Sequence, residues 1–232
     1  MKKQIIIIGG GTSIKEALLK GLWEKIKGKF VIGLNYSYNY FTNPTFQSFV
    51  DNDFYDDNLK DLEKLSLIIG NKKRFKKILS NTILLPSIAT YYRDVQHGVY
   101  KASLVGLWAL SMAIYLINPE DEIYLLGYDY GEVNRVKKGQ KFFTHFYQGD
   151  INHRGIGKIN YYNASGRAEK DFGVYNIVKD IKIYNVSKIS KIPDRIFPKL
   201  TYDEFFKRLN REIYDQDELR KNILNKLKWI KD

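Results

Sequence analysis

The hydrophobic pattern opens with Gln4-Ile5-Ile6-Ile7-Ile8, a short, continuous, β-branched run. Such a run fits a strand buried on both faces of a parallel sheet. It leads into Gly9-Gly10-Gly11-Thr12-Ser13. Ile14, Ala17, Leu18, Leu22, Trp23 and Ile26 then recur at helical spacing and predict an amphipathic helix over 14–27. Ser13 as N-cap, with Glu16 three residues later, predicts a capping box. A second apolar run, Lys29 to Leu34, predicts a strand that ends at Asn35. The chain therefore starts as strand, glycine-rich loop, helix, strand.

Residues 36–58 are rich in Tyr, Asn, Asp and Phe without a clear period, which predicts a long loop. Leu65–Ile69 and Thr82–Leu85 are candidate strands, the second ended by Pro86. The basic run Lys72 to Lys77 between them predicts a solvated helix. Ala102 to Ile117 is apolar almost all round, so it predicts a deeply buried helix that Asn118-Pro119 stops. Trp23 and Trp108 fall on the predicted core helices and read as packing residues. Glu122–Leu126 predicts another buried strand, followed by Gly127-Tyr128-Asp129-Tyr130. Residues 131–178 are basic, aromatic and aperiodic, the character of a lid. Ile181–Val186 predicts a last strand, and 201–230 a helical segment opened by Tyr202-Asp203. Its apolar stripe is Phe205, Phe206, Leu209, Ile213, Leu219, Ile223 and Leu227. Strands alternating with helices indicate an α/β fold, a Rossmann-like, doubly wound, mostly parallel sheet in one domain spanning 1–232.

Composition narrows the chemistry. The chain has no cysteine, which removes disulfides, thiolate metal sites and a cysteine nucleophile. No apolar run approaches the roughly 18–20 residues of a membrane span, and the Ile5–Ile8 run stops at glycines. A soluble cytoplasmic protein is the expectation. The net charge of +12 is uneven: residues 131–200 hold 14 basic against 6 acidic residues. That excess suits a positive mouth over an anionic ligand, and it equally suits a solvated lysine surface. With 15% aromatic residues, a nucleic-acid partner also fits the composition. No helix-turn-helix, zinc-finger or RNA-recognition signature accompanies it.

The glycine loop is the sharpest local signal. In a strand–loop–helix unit the loop N–H groups and the helix N-terminus converge, which favours phosphate. The loop is no Walker A, and Gly9, Gly11 and Ile14 fail the third glycine of GxGxxG. Its alternative reading is a tight turn. The three histidines are His97, His145 and His153. His145 and His153 lie in the lid, where a side chain titrating near neutrality could deprotonate an acceptor hydroxyl. Arg154 and Lys158 flank glycines beside His153 and could hold a departing phosphate. Asp51-Asn52-Asp53 has the spacing of a carboxylate pair for a hard divalent metal, and also of a solvated turn. No Gly-x-Ser-x-Gly elbow occurs.

Three separated segments resemble one superfamily. Gly9-Gly10-Gly11-Thr12-Ser13-Ile14-Lys15-Glu16 is similar to the glycine–serine loop of short bacterial sialyltransferases. It is equally similar to that of related proteins that include archaeal hydroxymethylpterin diphosphokinases and phage members. Gly33-Leu34-Asn35 resembles the family's second strand. Ser103-Leu-Val-Gly106, followed by Ile123-Tyr-Leu-Leu-Gly-Tyr-Asp129, resembles its serine-and-glycine helix and the strand after it. The likeness covers roughly residues 4–130.

The resemblance implies a nucleotide site built from Gly9, Gly10, Gly11, Thr12, Ser13, Asn35, Ser103, Gly106, Tyr128 and Asp129, with Tyr130 beside them. In the sialyltransferases a basic, aromatic lid supplies a histidine base and phosphate-binding groups. The implied activity is a transferase using a nucleotide-activated donor, a sialyltransferase-like glycosyltransferase with no obligatory cofactor. Two alternatives stay open. One is a diphosphokinase using ATP and magnesium through Asp51, Asp53 or Asp129. The other is a non-enzymatic nucleotide- or nucleic-acid-binding protein. The mixed charges of 201–230 suit packing on the sheet or a homo-oligomer contact.

Overall fold

A computed structural model describes residues 2–88, 99–100, 104–130, 145–147, 167–178 and 180–228. Its centre is a seven-stranded, all-parallel sheet: β1 (Gln4–Ile8), β2 (Phe30–Leu34), β3 (Phe46–Phe49), β4 (Ile68–Asn71), β5 (Thr82–Leu85), β8 (Glu122–Leu126) and β9 (Lys182–Val186). The spatial order is β5-β4-β3-β2-β1-β8-β9, a Rossmann-like α/β fold. Two short strands, β6 (Ser87–Ile88) and β7 (Val99–Tyr100), pair separately.

β1 is fully buried because both faces of the sheet are covered. Successive side chains point to opposite faces. Ile5 and Ile7 join the cluster under α5 (Val105–Leu116) and α8 (Gln216–Leu227). Ile6 and Ile8 join the cluster under α1 (Ile14–Leu19), α2 (Leu22–Ile26) and α7 (Tyr202–Arg208). α5 is the buried apolar helix the sequence predicts, with Trp108 inaccessible to solvent. Phe49 and Ile68 form a third cluster under α3 (Asn52–Asp57) and α4 (Leu59–Leu62).

Several expected elements differ. The helix over 14–27 breaks into α1 and α2 at Gly21, whose φ of 73° is left-handed. Residues 36–58 hold β3 and α3 rather than one loop. The polar residues of β3 hid it: Gln47 Nε2 donates to the Asn35 carbonyl and Ser48 Oγ to the Ile69 carbonyl, so both are buried and satisfied. The run 72–77 forms no helix, and Lys73 Nζ donates to the Val50 carbonyl instead. The candidate strand at Leu65–Ile69 starts later, at Ile68. The segment 201–230 divides into α7 and α8. Lys29 Nζ binds the carbonyls of Asn210 and Glu212 in the break between them, and Ile213 there is exposed rather than part of a stripe. α7 carries the capping box, between Thr201 and Glu204.

Among the described residues no helix is long and apolar enough to cross a membrane.

Candidate functional site

β1 and β8 are adjacent strands 118 residues apart in sequence, and the strand order reverses between them. In open parallel sheets the crevice at the carboxyl end of such a reversal is where ligands bind. Here that crevice is formed by Gly9–Ser13 after β1 and Gly127–Tyr130 after β8.

The two strand ends touch through backbone. Gly9 N–H donates to the Leu126 carbonyl at 2.7 Å and Gly11 N–H to the Gly127 carbonyl at 2.8 Å. A Cβ on Gly9 would lie 2.8 Å from the Gly127 oxygen, and one on Gly11 2.6 Å from it. Glycine is required at both by this approach. Gly127 itself has a φ of 68°.

Asp129 fills the start of α1. Its Oδ2 accepts from Ser13 N–H at 2.8 Å and, at a long 3.5 Å, from Thr12 Oγ1. Its Oδ1 accepts from Ser13 Oγ at 2.5 Å and from Ser187 Oγ at 2.7 Å. Ser13 therefore makes no capping box with Glu16; its backbone is helical and its hydroxyl is turned to Asp129. A carboxylate thus holds the position the sequence predicts for a phosphate.

The remaining contacts lock this corner. Lys191 N–H donates to the Asp129 carbonyl at 2.7 Å. Ser190 Oγ donates to the Tyr128 carbonyl at 2.6 Å. Tyr128 is buried on the α5 side, and its hydroxyl donates to the Gly106 carbonyl. Tyr128 and Gly106 are thus packing partners. A Cβ on Gly106 would meet the Tyr130 hydroxyl at 2.7 Å. Tyr202, on α7, lies close to Ser13 and Asp129. Its buried hydroxyl has no hydrogen-bond partner among the described residues. Burial pushes its phenol upward, Ser13 works the other way, and the Asp129 charge adds to the rise.

Two non-glycine residues among those described have positive φ: Asn35 (47°) at the end of β2 and Tyr130 (45°) just past β8. Both adjoin the crevice. Strain of this kind costs about 1–3 kcal/mol and concentrates at functional sites. The Asn35 Oδ1 is buried without a partner among the described residues.

Of residues 131–178, expected as a lid, 145–147 and 167–178 are described. The second stretch is no lid: it forms α6 (Arg167–Phe172) and a 3-10 turn, and Phe172 and Tyr175 are buried in the core cluster with α5. Residues 145–147 sit on the glycine loop. Phe146 N–H donates to the Gly10 carbonyl at 2.8 Å. A Cβ on Gly10 would collide with the His145 ring and lie 3.0 Å from the Tyr147 hydroxyl. The His145 and Tyr147 rings stack, centroids 5.1 Å apart and planes 22° apart. Tyr147 in turn packs against Tyr36, and Phe146 against Tyr40 and Trp23.

The structure thus brings Gly9, Gly10, Gly11, Thr12, Ser13, Asp129 and His145 together, with Asn35 on the neighbouring strand end. Ser103, His153, Arg154, Lys158 and His97 lie outside the described residues. Asp51 and Asp53 sit at the end of β3, two strands from β1. Burial pushes the Asp51 carboxyl up, against the pull of Lys73, with Asp53 adding to the rise. Among the described residues no group of three His, Asp or Glu side chains could hold a metal ion. Ser187 and Tyr202 are the site residues that sequence reasoning missed. They lie 58 and 73 residues beyond Asp129, on segments with no motif of their own.

Compared with family models, curated proteins and solved structures, the chain matches none.

Proposed function

We propose that the β1–β8 crevice binds a nucleotide-activated donor and that the protein is a transferase, a sialyltransferase-like glycosyltransferase in which His145 is the base. The observation that carries this reading is the seat of His145: directly on Gly10, at the switch point of a parallel sheet, with its ring stacked on Tyr147. A base must lie within reach of the reacting group, and a histidine ring held against Gly10 supports that role for His145. Asn35 and the loop hydroxyls line the donor side. Arg154 and Lys158 are the groups assigned to the leaving phosphate, and His153 is the alternative base. Rate enhancement rests on positioning and on charge stabilisation of the leaving group.

The test is a thermal-shift panel of CMP, UMP, GDP, ADP, ATP and their sugar conjugates, with and without magnesium. A ligand that binds the native state raises the melting temperature by mass action. The expected result is a metal-independent shift with one nucleotide class, and His145→Ala retaining the shift while losing transfer from the sugar conjugate. A shift seen only with ATP and magnesium would replace this reading with a diphosphokinase. No shift with any of them would overturn it.

A further inference from the structure

The seat of His145 is built by the residue after it. Phe146 is only 4% exposed. Its ring meets that of Tyr40 edge-on at 5.1 Å and lies 6.4 Å from that of Trp23, which packs on Phe41 at 5.6 Å. Trp23 comes from α2, while Tyr40 and Phe41 follow the 3-10 turn Asn35–Asn39 after β2. The Phe146 backbone is fixed as well, since its N–H donates to the Gly10 carbonyl at 2.8 Å. On its other side the Tyr40 hydroxyl donates to the Tyr147 carbonyl at 3.4 Å, and the buried Tyr147 ring packs on Tyr36. An imidazole gains little by leaving water, whereas burying an aromatic ring is strongly favourable. The energy that fixes this stretch therefore comes from Phe146 and Tyr147, and the position of His145 follows from theirs.

Resting on the reading of His145 as the base, we infer that Phe146 is a positioning residue for it, with Trp23 behind. Burial of the Phe146 ring against Trp23 and Tyr40, together with its bond to Gly10, holds the His145 ring against the glycine loop. Phe146 takes no part in proton transfer and acts through His145. Trp23, a packing residue by its place on α2, thereby contributes to the chemistry at a distance. Gly10 completes the arrangement, because any side chain there would occupy the space of the His145 ring.

The experiment is a double-mutant cycle on the full chain. The probes are the nucleotide-sugar conjugates of the thermal-shift panel, with kcat for nucleotide release and Kd for the free nucleotide as readouts. Wild type, His145→Ala, Phe146→Ala and the double variant are compared. Loss of a base costs about a hundredfold or more, which sets the expectation for His145→Ala. A misplacement of about 1 Å costs on the order of a hundredfold, so Phe146→Ala should lower kcat by about ten- to a hundredfold while Kd changes by less than about threefold. Residues that act as a unit are not additive, so Phe146→Ala should cost nothing further once His145 is gone. Phe146→Leu keeps an apolar plug and should recover most of the rate. A merely structural Phe146 would lower the double variant below His145→Ala by its full single-variant factor, and that result overturns the inference. An unchanged kcat in Phe146→Ala overturns it too. If Phe146→Ala does not fold, Trp23→Leu replaces it in the cycle, with a loss of about tenfold expected and the same criterion. His145→Ala with full kcat removes the base, and this inference with it, while leaving the nucleotide site in place. Wild type that neither binds nor cleaves any conjugate removes the nucleotide-donor reading and this inference together.

Discussion

The carboxyl edge of the sheet has two regions that look alike in sequence and differ in structure. At the β1–β8 end, a glycine–serine loop is clasped by Asp129, Ser187 and the His145–Tyr147 segment, which come from three other parts of the chain. At the β3–β4 end, Asp51-Asn52-Asp53 begins α3. Asp51 makes no side-chain cap bond, and the buried Oδ1 atoms of Asn52 and Asn71 have no partner among the described residues. Both are short motifs associated with nucleotide chemistry. The first sits where the strand order reverses, and segments from far along the chain converge on it; among the described residues the second is met by the nearby segment 73–76, through Lys73, Arg74 and Lys76. A motif gains chemical meaning from the topology that delivers partners to it.

This contrast can be broken by substitution. Asp129→Ala should have the largest effect. It leaves the buried Ser187 hydroxyl and the half-buried Ser13 donors without their acceptor and should cost about 3 kcal/mol, read as a lower urea midpoint. Gly11→Ala comes next. Its Cβ would push on the Gly127 carbonyl and the Asp129 side chain, and such overpacking costs about 1–3 kcal/mol. Ligand-induced thermal shifts should vanish with it.

Glu122, at the opposite end of the same strand β8, gives a control for charge without site. Burial works to raise its carboxyl, but hydrogen bonds from Lys2, Tyr124 and Gln4 outweigh that and hold it below its usual range. A depressed carboxyl contributes stability above its unfolded value of 4.5, and that stability is lost as pH falls through the lower folded value. Glu122→Gln should therefore cost about 1 kcal/mol at pH 7. The loss should shrink toward zero in strong acid, and ligand binding should not change.

The smallest effect is expected at the β3 end. The Asp51 carboxyl is raised, so the folded state holds its proton more tightly than the unfolded chain does. Its charge then opposes folding above the unfolded value, and acid removes that opposition. Asp51→Asn should be neutral to slightly stabilising at pH 7, within about 0.5 kcal/mol, and neutral in acid. A loss of ligand binding in this variant would erase the distinction between the two ends.

These differences also show which parts of the molecule were legible in the sequence. β1, β2, β8 and α5 were plain because continuous apolar runs have one stable home, between two covered faces. β5 and β9 lie at the sheet edges, partly exposed along their length, and were legible from their short β-branched runs. β3 was hidden because Gln47 and Ser48 are buried polar residues whose partners, Asn35 and Ile69, are 12 and 21 positions away. The split at Gly21 was missed because periodicity alone reads through a single left-handed residue. At the site, the glycines, Asp129 and His145 were legible as residue types in suggestive places. That Asp129 would occupy the α1 N-terminus was not, because that contact depends on the pairing of β1 with β8. Ser187 and Tyr202 were silent for the same reason.

The pairing of β1 also bears on how the protein is made. Its first neighbour, β2, follows within about thirty residues of the start, but the register Ile5↔Ile123 to Ile8↔Leu126 cannot form until β8 has left the ribosome. During that interval one side of Ile5–Ile8 is an apolar strand edge without its partner, the kind that templates aggregation. Closing so large a loop late is slow because its entropy is lost before the contacts form. Synthesis and refolding should therefore be most sensitive to chaperone supply before β8 docks. Truncations that end before residue 122 should aggregate, even though they contain the whole glycine loop.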